Sequence, residues 1–256
     1  MTAQFPTSPT VIVTGAASVR GIGRATATRL ASHGWNVGVL DLDASACADL
    51  AAELHDRFGI AAHGVGADVV DLNAVRSAID ELESSLPPLV ALANIAGVSS
   101  PTPYLEVDAS EWRRVLGIDL DGVHNVSQRV AESLVRNGFG RIVSLSSVSA
   151  QRGGGTFSKT PYSVAKAGVI GLMRALAREL GEFGITANAI SPGPIDTDIM
   201  GGTLSEERKE ELAADLLVHR VGTVDDIAAA IEFLIGADAG WITGQTLNVD
   251  GGLYMH

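Results

Sequence analysis

The stretch "VTGAASVRGIG", Val13 to Gly23, decides how the chain is read. An apolar, β-branched lead-in enters a glycine cluster, and the cluster enters a helix-like run, which is the order a phosphate-binding turn needs. Gly15, Gly21 and Gly23 suit a tight turn, a close approach of backbone to a pyrophosphate, and close packing of helix on strand. The N–H groups at the start of the following helix, from Ile22 onward, would face the negative charge. Five residues separate Gly15 from Gly21, and Arg20 stands directly before the second glycine. On spacing alone, a plain glycine-rich turn stays open.

Short apolar runs alternate with helix-period segments on either side of that turn. Strands are expected at 10–15, 36–41, 61–68, 89–97, 140–147, 185–191 and 245–250, with helices near 22–33, 44–57, 71–85, 109–136 and 161–182. The strands are apolar on both faces, as in a parallel sheet covered by helices on each side. The expectation is an α/β, doubly wound Rossmann fold with seven parallel strands, forming one domain over residues 1–256. Residues 194–218 break the alternation and carry a Gly-Gly pair; they read as a helical insertion over the strand C-termini, where such folds bind ligands.

The composition excludes several partners. Net charge is −12, so nucleic acid and anionic membrane surfaces would be repelled. With one cysteine, Cys47, no intrachain disulfide can form, which fits a reducing compartment. "MTAQFPTSPT" lacks the basic and apolar regions of a signal peptide, and no apolar run is long enough for a membrane span. The reading is a soluble cytoplasmic protein. His33, His55 and His63 lack metal-ligand spacing, so no metal is expected; His219 and His256 are the histidines that could border a substrate site.

Two carboxylates stand where an adenosine would lie. Asp41 ends the second expected strand about 20 residues past the glycine loop, where a carboxylate accepts hydrogen bonds from ribose hydroxyls. Asp68 could receive the adenine amino group, or serve as a turn aspartate. At the other end, "PYSVAKAG" sets Tyr162 and Lys166 one helical turn apart and on one face. An ammonium beside a phenol favours the phenolate, which suits proton exchange with an alcohol or carbonyl. Ser147, at the end of the preceding strand, reaches the same sheet edge and could hold the substrate oxygen.

Together these residues make the chain resemble the short-chain dehydrogenase/reductase family over essentially its whole length. The resemblance is carried by "TGAASVRGIG", "DV" at Asp68–Val69, "NIAG" at Asn94–Gly97, Ser147, "YSVAK", "NAISPGPIDT" at Asn188–Thr197 and "ITGQTLNVDGG" at Ile242–Gly252. It implies a Ser147/Tyr162/Lys166 triad in which Tyr162 is the acid/base, Ser147 positions the reacting oxygen, and Lys166 binds the nicotinamide ribose. It further implies that Asn94 holds its strand beside the adenine ribose and that Val69 touches adenine. Pro192 and Gly193 would lie under the nicotinamide and Thr197 at its carboxamide, with Ile22, Ala96, Gly97 and Ile195 among the cofactor contacts. The long helices and the C-terminal strand imply a homotetramer.

The chain departs from the family pattern in three places. The glycine loop is longer by two residues, and Ile95 replaces a frequent asparagine. Asp119 occupies the place of a fourth catalytic asparagine; it can accept a hydrogen bond from a relay water but cannot donate one. The long loop resembles that of enoyl reductases in the same superfamily, but those enzymes have a longer spacer than the three residues between Tyr162 and Lys166. Asp41 favours NAD over NADP, since it and a 2′-phosphate 3–4 Å apart repel by roughly 4–5 kcal/mol at an effective dielectric near 20. Arg20, which could contact that phosphate or the pyrophosphate, opposes this preference. The expected activity is NAD-dependent hydride transfer at a secondary alcohol or ketone, with a small neutral or polyol-like substrate. The alternatives are NADPH-dependent reduction of a 3-oxoacyl thioester and a non-catalytic dinucleotide sensor, the latter opposed by the intact triad.

Overall fold

The computed structural model describes residues 5–200 and 202–255. Seven strands form one parallel sheet in the order β3-β2-β1-β4-β5-β6-β7. They are β1 (Thr10–Thr14), β2 (Asn36–Asp41), β3 (Ala62–Gly66), β4 (Leu89–Asn94), β5 (Gly140–Leu145), β6 (Ile185–Pro192) and β7 (Thr246–Val249). The central strands β1, β4, β5 and β6 are buried throughout, which accounts for their unbroken apolar runs.

Each face of the sheet is covered by helices. On one side, α1 (Ile22–Ser32), α2 (Ala44–Phe58) and α9 (Val224–Ile235) bury Leu30, Leu50, Leu54, Ile231 and Ile235. On the other, α3 (Leu72–Ser85), α5 (Gly122–Asn137) and α7 (Thr160–Leu180) bury Ile79, Leu82, Val130, Leu134 and Met173. The fold is thus a doubly wound Rossmann fold. Among the described residues, no helix is long and apolar enough to cross a membrane.

The structure refines the sequence expectations in several elements. The single helix expected over 109–136 is α4 (Ala109–Leu116), a π-helical turn (Gly117–Asp121) and then α5. The insertion at 194–218 holds a 3-10 turn at Asp198–Met200 and α8 (Glu206–Ala213), started by the Ser205 hydroxyl accepting the Arg208 N–H; Gly201 lies outside the described residues. Two helices had no counterpart in the sequence reading: the four-residue α6 (Ser149–Arg152) and α9. At the start of α9, the Thr223 hydroxyl accepts the Asp226 N–H while the Asp226 carboxylate accepts the Thr223 N–H, a reciprocal capping box.

The cap gives the first test. Replacing Thr223 with alanine removes the hydroxyl that accepts the Asp226 N–H and should destabilise the protein by about 1 kcal/mol. Thermal or urea unfolding of Thr223→Ala reads this directly, and an unchanged midpoint would contradict it.

Candidate active site

The sheet order reverses between β1 and β4, and the crevice outside the strand C-termini opens there. A cavity of about 1370 Å³ occupies it, lined at one end by Asp41, Asp68 and Val69 and at the other by Ser147, Tyr162, Lys166 and Pro192. Strand order accounts for this spread: β2 and β3 end on one side of the reversal, β5 and β6 on the other.

The floor between the two ends is built by backbone lying on backbone. Gly15 has φ +67°, and a Cβ there would sit 2.6 Å from the Ala96 nitrogen. A Cβ on Gly23 would lie 2.2 Å from the Gly15 carbonyl oxygen. The Thr14 hydroxyl, not singled out by the sequence reading, accepts the Ile95 and Ala96 N–H groups at 2.9 and 3.1 Å. These contacts leave room over the loop. They also aim α1 into the cavity, with Gly21 as its cap, no side chain occupying its first N–H groups and no acidic residue in its first turn. Such a helix start is free to take an anion. Asp41 accepts the Ala17 N–H at 2.9 Å through Oδ2 and the Leu42 N–H at 2.7 Å through Oδ1, so its carboxylate is fixed at the cavity edge with lone pairs to spare. Asp68 accepts the Val70 N–H at 2.9 Å, a turn contact made at the cavity wall.

At the chemistry end, α7 presents Tyr162 and Lys166 side by side, with the Lys166 ammonium 5.6 Å from the centre of the Tyr162 ring. Lys166 Nζ donates to the Leu145 carbonyl at 3.2 Å and pairs with Asp119 Oδ1 at 3.1 Å. Asp119 is completely buried, accepts the Val98 N–H at 3.1 Å, and has no partner for Oδ2. A Cβ on Gly97 would sit 2.4 Å from Asp119 Oδ1, so the glycine lets the carboxylate reach the lysine. The Ser147 oxygen accepts the Ser149 N–H at 3.1 Å, and its hydroxyl meets Tyr162 on the cavity wall.

Burial raises the Asp119 pKa, and the Lys166 charge opposes it. Lys166 is itself desolvated, yet the charge of Asp119 holds its pKa above the usual lysine value. Burial also pushes the Tyr162 phenol up; Lys166 pulls it down, Asp119 raises it, and a hydrogen bond with Ser147 lowers it. Lys166 thus acts in the direction the sequence suggests, but desolvation outweighs it.

Not every candidate lines the cavity. Gly15, Gly21, Ile22, Asp41, Asp68, Val69, Ala96, Gly97, Ser147, Tyr162, Lys166, Pro192, Gly193, Ile195 and Thr197 do. Gly23 lies beneath the loop, and Asn94 donates to the Ser127 and Ser144 hydroxyls at 2.9 and 3.1 Å, bracing β4 from behind. Asp119 stands behind Gly97 and Lys166. Arg20 does not line the wall itself but pairs with Asp196 and with the wall residue Asp198. His219 is also off the wall, and His256 lies outside the described residues. The cavity further takes in Arg152, Phe157, Arg208, Glu211 and Leu212, which sequence reasoning did not select. The charged run "SEERKEEL" reads as a solvated helix, and its charge pattern carries no signal of a cavity-facing side. Among the described residues no group of side chains has the makings of a metal site.

Comparison with known proteins decides the family. A family model described as enoyl-(acyl carrier protein) reductase matches residues 15–254. An uncharacterized short-chain type dehydrogenase/reductase from Sinorhizobium fredii is 40% identical over 247 residues, 96% of this chain and 98% of the relative. The chain belongs to the short-chain dehydrogenase/reductase family. A 3-oxoacyl-(acyl-carrier-protein) reductase from Staphylococcus aureus is 38% identical over 244 residues, covering 95% of this chain and 97% of that protein. The crystal structure of a 3-oxoacyl-(acyl-carrier-protein) reductase with bound NAD from Brucella melitensis superposes with a TM-score of 0.86 at 32% identity, covering 98% of this chain and 92% of that one. As a short-chain dehydrogenase/reductase, the protein is an oxidoreductase of CH–OH groups and their ketones and uses a nicotinamide dinucleotide.

The buried Lys166–Asp119 pair makes a prediction about pH. The negative charge of Asp119 disfavours the Tyr162 phenolate, so removing it should lower the phenol's pKa. With the Tyr162 phenolate as base in alcohol oxidation, the role the resemblance implies, the rate would rise with pH through that pKa. Asp119→Asn should therefore move the rising limb of the kcat/KM profile to lower pH than in wild type. A limb that stays put would show that the phenol does not feel Asp119, and one that moves upward would show that Asp119 acts on it mainly by keeping Lys166 charged.

Proposed function

We propose that this protein interconverts a 3-hydroxyacyl thioester and its 3-oxoacyl counterpart with NAD(H). The observation that carries the reading is the convergence of Ser147, Tyr162 and Lys166 on one cavity wall whose far end is edged by Asp41. The names of the relatives support the acyl substrate, and the NAD bound by the Brucella melitensis protein supports NAD on this fold. Asp41 supports the same cofactor, because its carboxylate opposes a 2′-phosphate. The three-residue spacing of Tyr162 and Lys166 speaks against enoyl reduction.

The fit of a dinucleotide rests on the uncapped start of α1 and the glycine floor. The α1 N–H groups would hold the pyrophosphate, Asp41 the adenosine ribose, and Lys166 the nicotinamide ribose; Pro192, Gly193, Ile195 and Thr197 would flank the nicotinamide. When bound, the cofactor supplies or accepts the hydride. The Ser147 hydroxyl donates to the substrate oxygen and fixes it beside Tyr162. In ketone reduction the Tyr162 phenol gives that oxygen its proton, and in alcohol oxidation the phenolate takes the proton away. Lys166 steadies the phenolate by charge, while Asp119 keeps Lys166 protonated and in place. The unpartnered Asp119 Oδ2 suits a water that carries the proton onward from Lys166.

A small neutral or polyol-like substrate is the second reading. It is favoured by the net charge of −12 and by Asp215 on the cavity wall, where Asp198 and Glu211 are already paired with Arg20 and Arg208. The exposed indole of Trp241 and the exposed Leu247 on edge strand β7 support a homotetramer.

Reduction of acetoacetyl-CoA and of simple ketones with NADH, set against oxidation of a polyol panel with NAD+, separates the two substrate readings. Higher kcat/KM for the thioester is expected, and a preference for a polyol would overturn the acyl reading. Tyr162→Phe should lower kcat by about 10²–10⁴-fold while NADH still binds. Retained turnover in that variant would remove Tyr162 from the mechanism.

A further inference from the structure

The two residues by which the glycine loop exceeds the family pattern are absorbed in a tight turn. The Gly21 N–H donates to the Ser18 carbonyl at 3.0 Å, and Val19 at the tip is 78% exposed. This turn directs Ser18 and Arg20 across the mouth of the cavity to the substrate-side segment. The Ser18 hydroxyl donates to Asp198 Oδ2 at 3.1 Å. Arg20 Nη1 donates to Asp198 Oδ1 at 3.0 Å and to the Thr203 hydroxyl at 2.7 Å, and Nη2 donates to Asp196 Oδ1 at 2.6 Å.

Both terminal nitrogens of the loop's only cation are therefore committed to residues 196–203. Yet three residues earlier the same loop touches Asp41, through the Ala17 N–H. A guanidinium is the side chain best shaped to take a phosphate, through paired N–H donors. Released from Asp196 and Asp198, Arg20 would be the positive group of the loop nearest in sequence to the Asp41 contact. Asp196 also accepts the Leu204 N–H and pairs with Lys209, so its position does not depend on Arg20.

We propose that Asp196 and Asp198 are specificity-determining residues for the dinucleotide: by holding Arg20 across the cavity mouth, they leave Asp41 to meet a 2′-phosphate unopposed. This rests on the NAD reading. It assigns part of cofactor choice to side chains far along the chain from both Asp41 and the glycine loop.

The test is direct binding, without substrate. NADH and NADPH are titrated by fluorescence into the full chain, as wild type, Arg20→Ala, the double variant Asp196→Asn/Asp198→Asn, and the triple variant adding Arg20→Ala. Wild type should favour NADH, and Arg20→Ala should leave the ratio of the two Kd values unchanged. The double variant should shift that ratio toward NADPH by about tenfold, the effect of one charge-assisted phosphate contact, and the triple variant should return it to the wild-type value. Where the double variant lowers Tm, Asp198→Asn alone carries the test, since Asp198 is half exposed, and a smaller shift in the same direction is expected. An unchanged ratio on releasing Arg20, a shift that survives in the triple variant, or a change in preference from Arg20→Ala alone overturns the proposal while the NAD reading stands. A wild-type preference for NADPH overturns both.

Discussion

The site depends on the close approach of two backbones at the point where strand order reverses. Gly15 lies so near the end of β4 that a side chain would overlap the Ala96 backbone, and Gly23 lies just as close to Gly15. The Thr14 hydroxyl fastens the contact from the β1 side by accepting two N–H groups of the β4 loop. The start of α1 is thereby fixed relative to β4 and opens onto the same crevice as Lys166. Binding and chemistry share one frame because both are hung on this junction.

A second constraint acts at the chemistry end. A buried lysine is costly to keep charged, and so is a buried carboxylate; each offsets part of the other's desolvation here. The π-helical turn at Gly117–Asp121 and the missing side chain at Gly97 let Asp119 reach Lys166. This arrangement has opposite effects on the two neighbours. Asp119 keeps Lys166 positive, which helps the Tyr162 phenolate, while its own negative charge opposes that phenolate. An amide at the same place would remove both effects at once. The difference between aspartate and asparagine is therefore one of electrostatic balance as well as of hydrogen bonding.

The fold was legible because its signals are local. Apolar runs fully buried in a parallel sheet look the same in sequence as in space, and Tyr162 and Lys166 fall on one face by helical spacing alone. Helix α9 was less legible. Its capping residues Thr223 and Asp226 are present, but Ile227–Ile235 is a short run in which Glu232 alone is charged, and such a run reads as readily as a buried strand. Nothing in the local sequence marks the π turn, whose end at Gly122 packs closely on Val69 from the loop after β3. The same limit applies within the site. Local spacing put Asp41, Ser147 and Lys166 at one sheet edge, whereas the partners of Arg20 lie 176 and 178 residues away in the chain.

That distance bears on how cofactor preference is inferred from sequence. A basic residue before the second glycine counts toward NADP only if its charge is available at the adenosine. In this chain the charge is neutralised by two carboxylates from the substrate-side segment, one of them also bound by Lys209. Arg20 and Asp41 thus do not oppose each other at one position, although they belong to the same stretch of fold. The lengthened loop makes that separation possible. Its extra turn carries the arginine outward while Ala17 stays on Asp41, so one loop meets Asp41 with its backbone and residues 196–203 with its side chains.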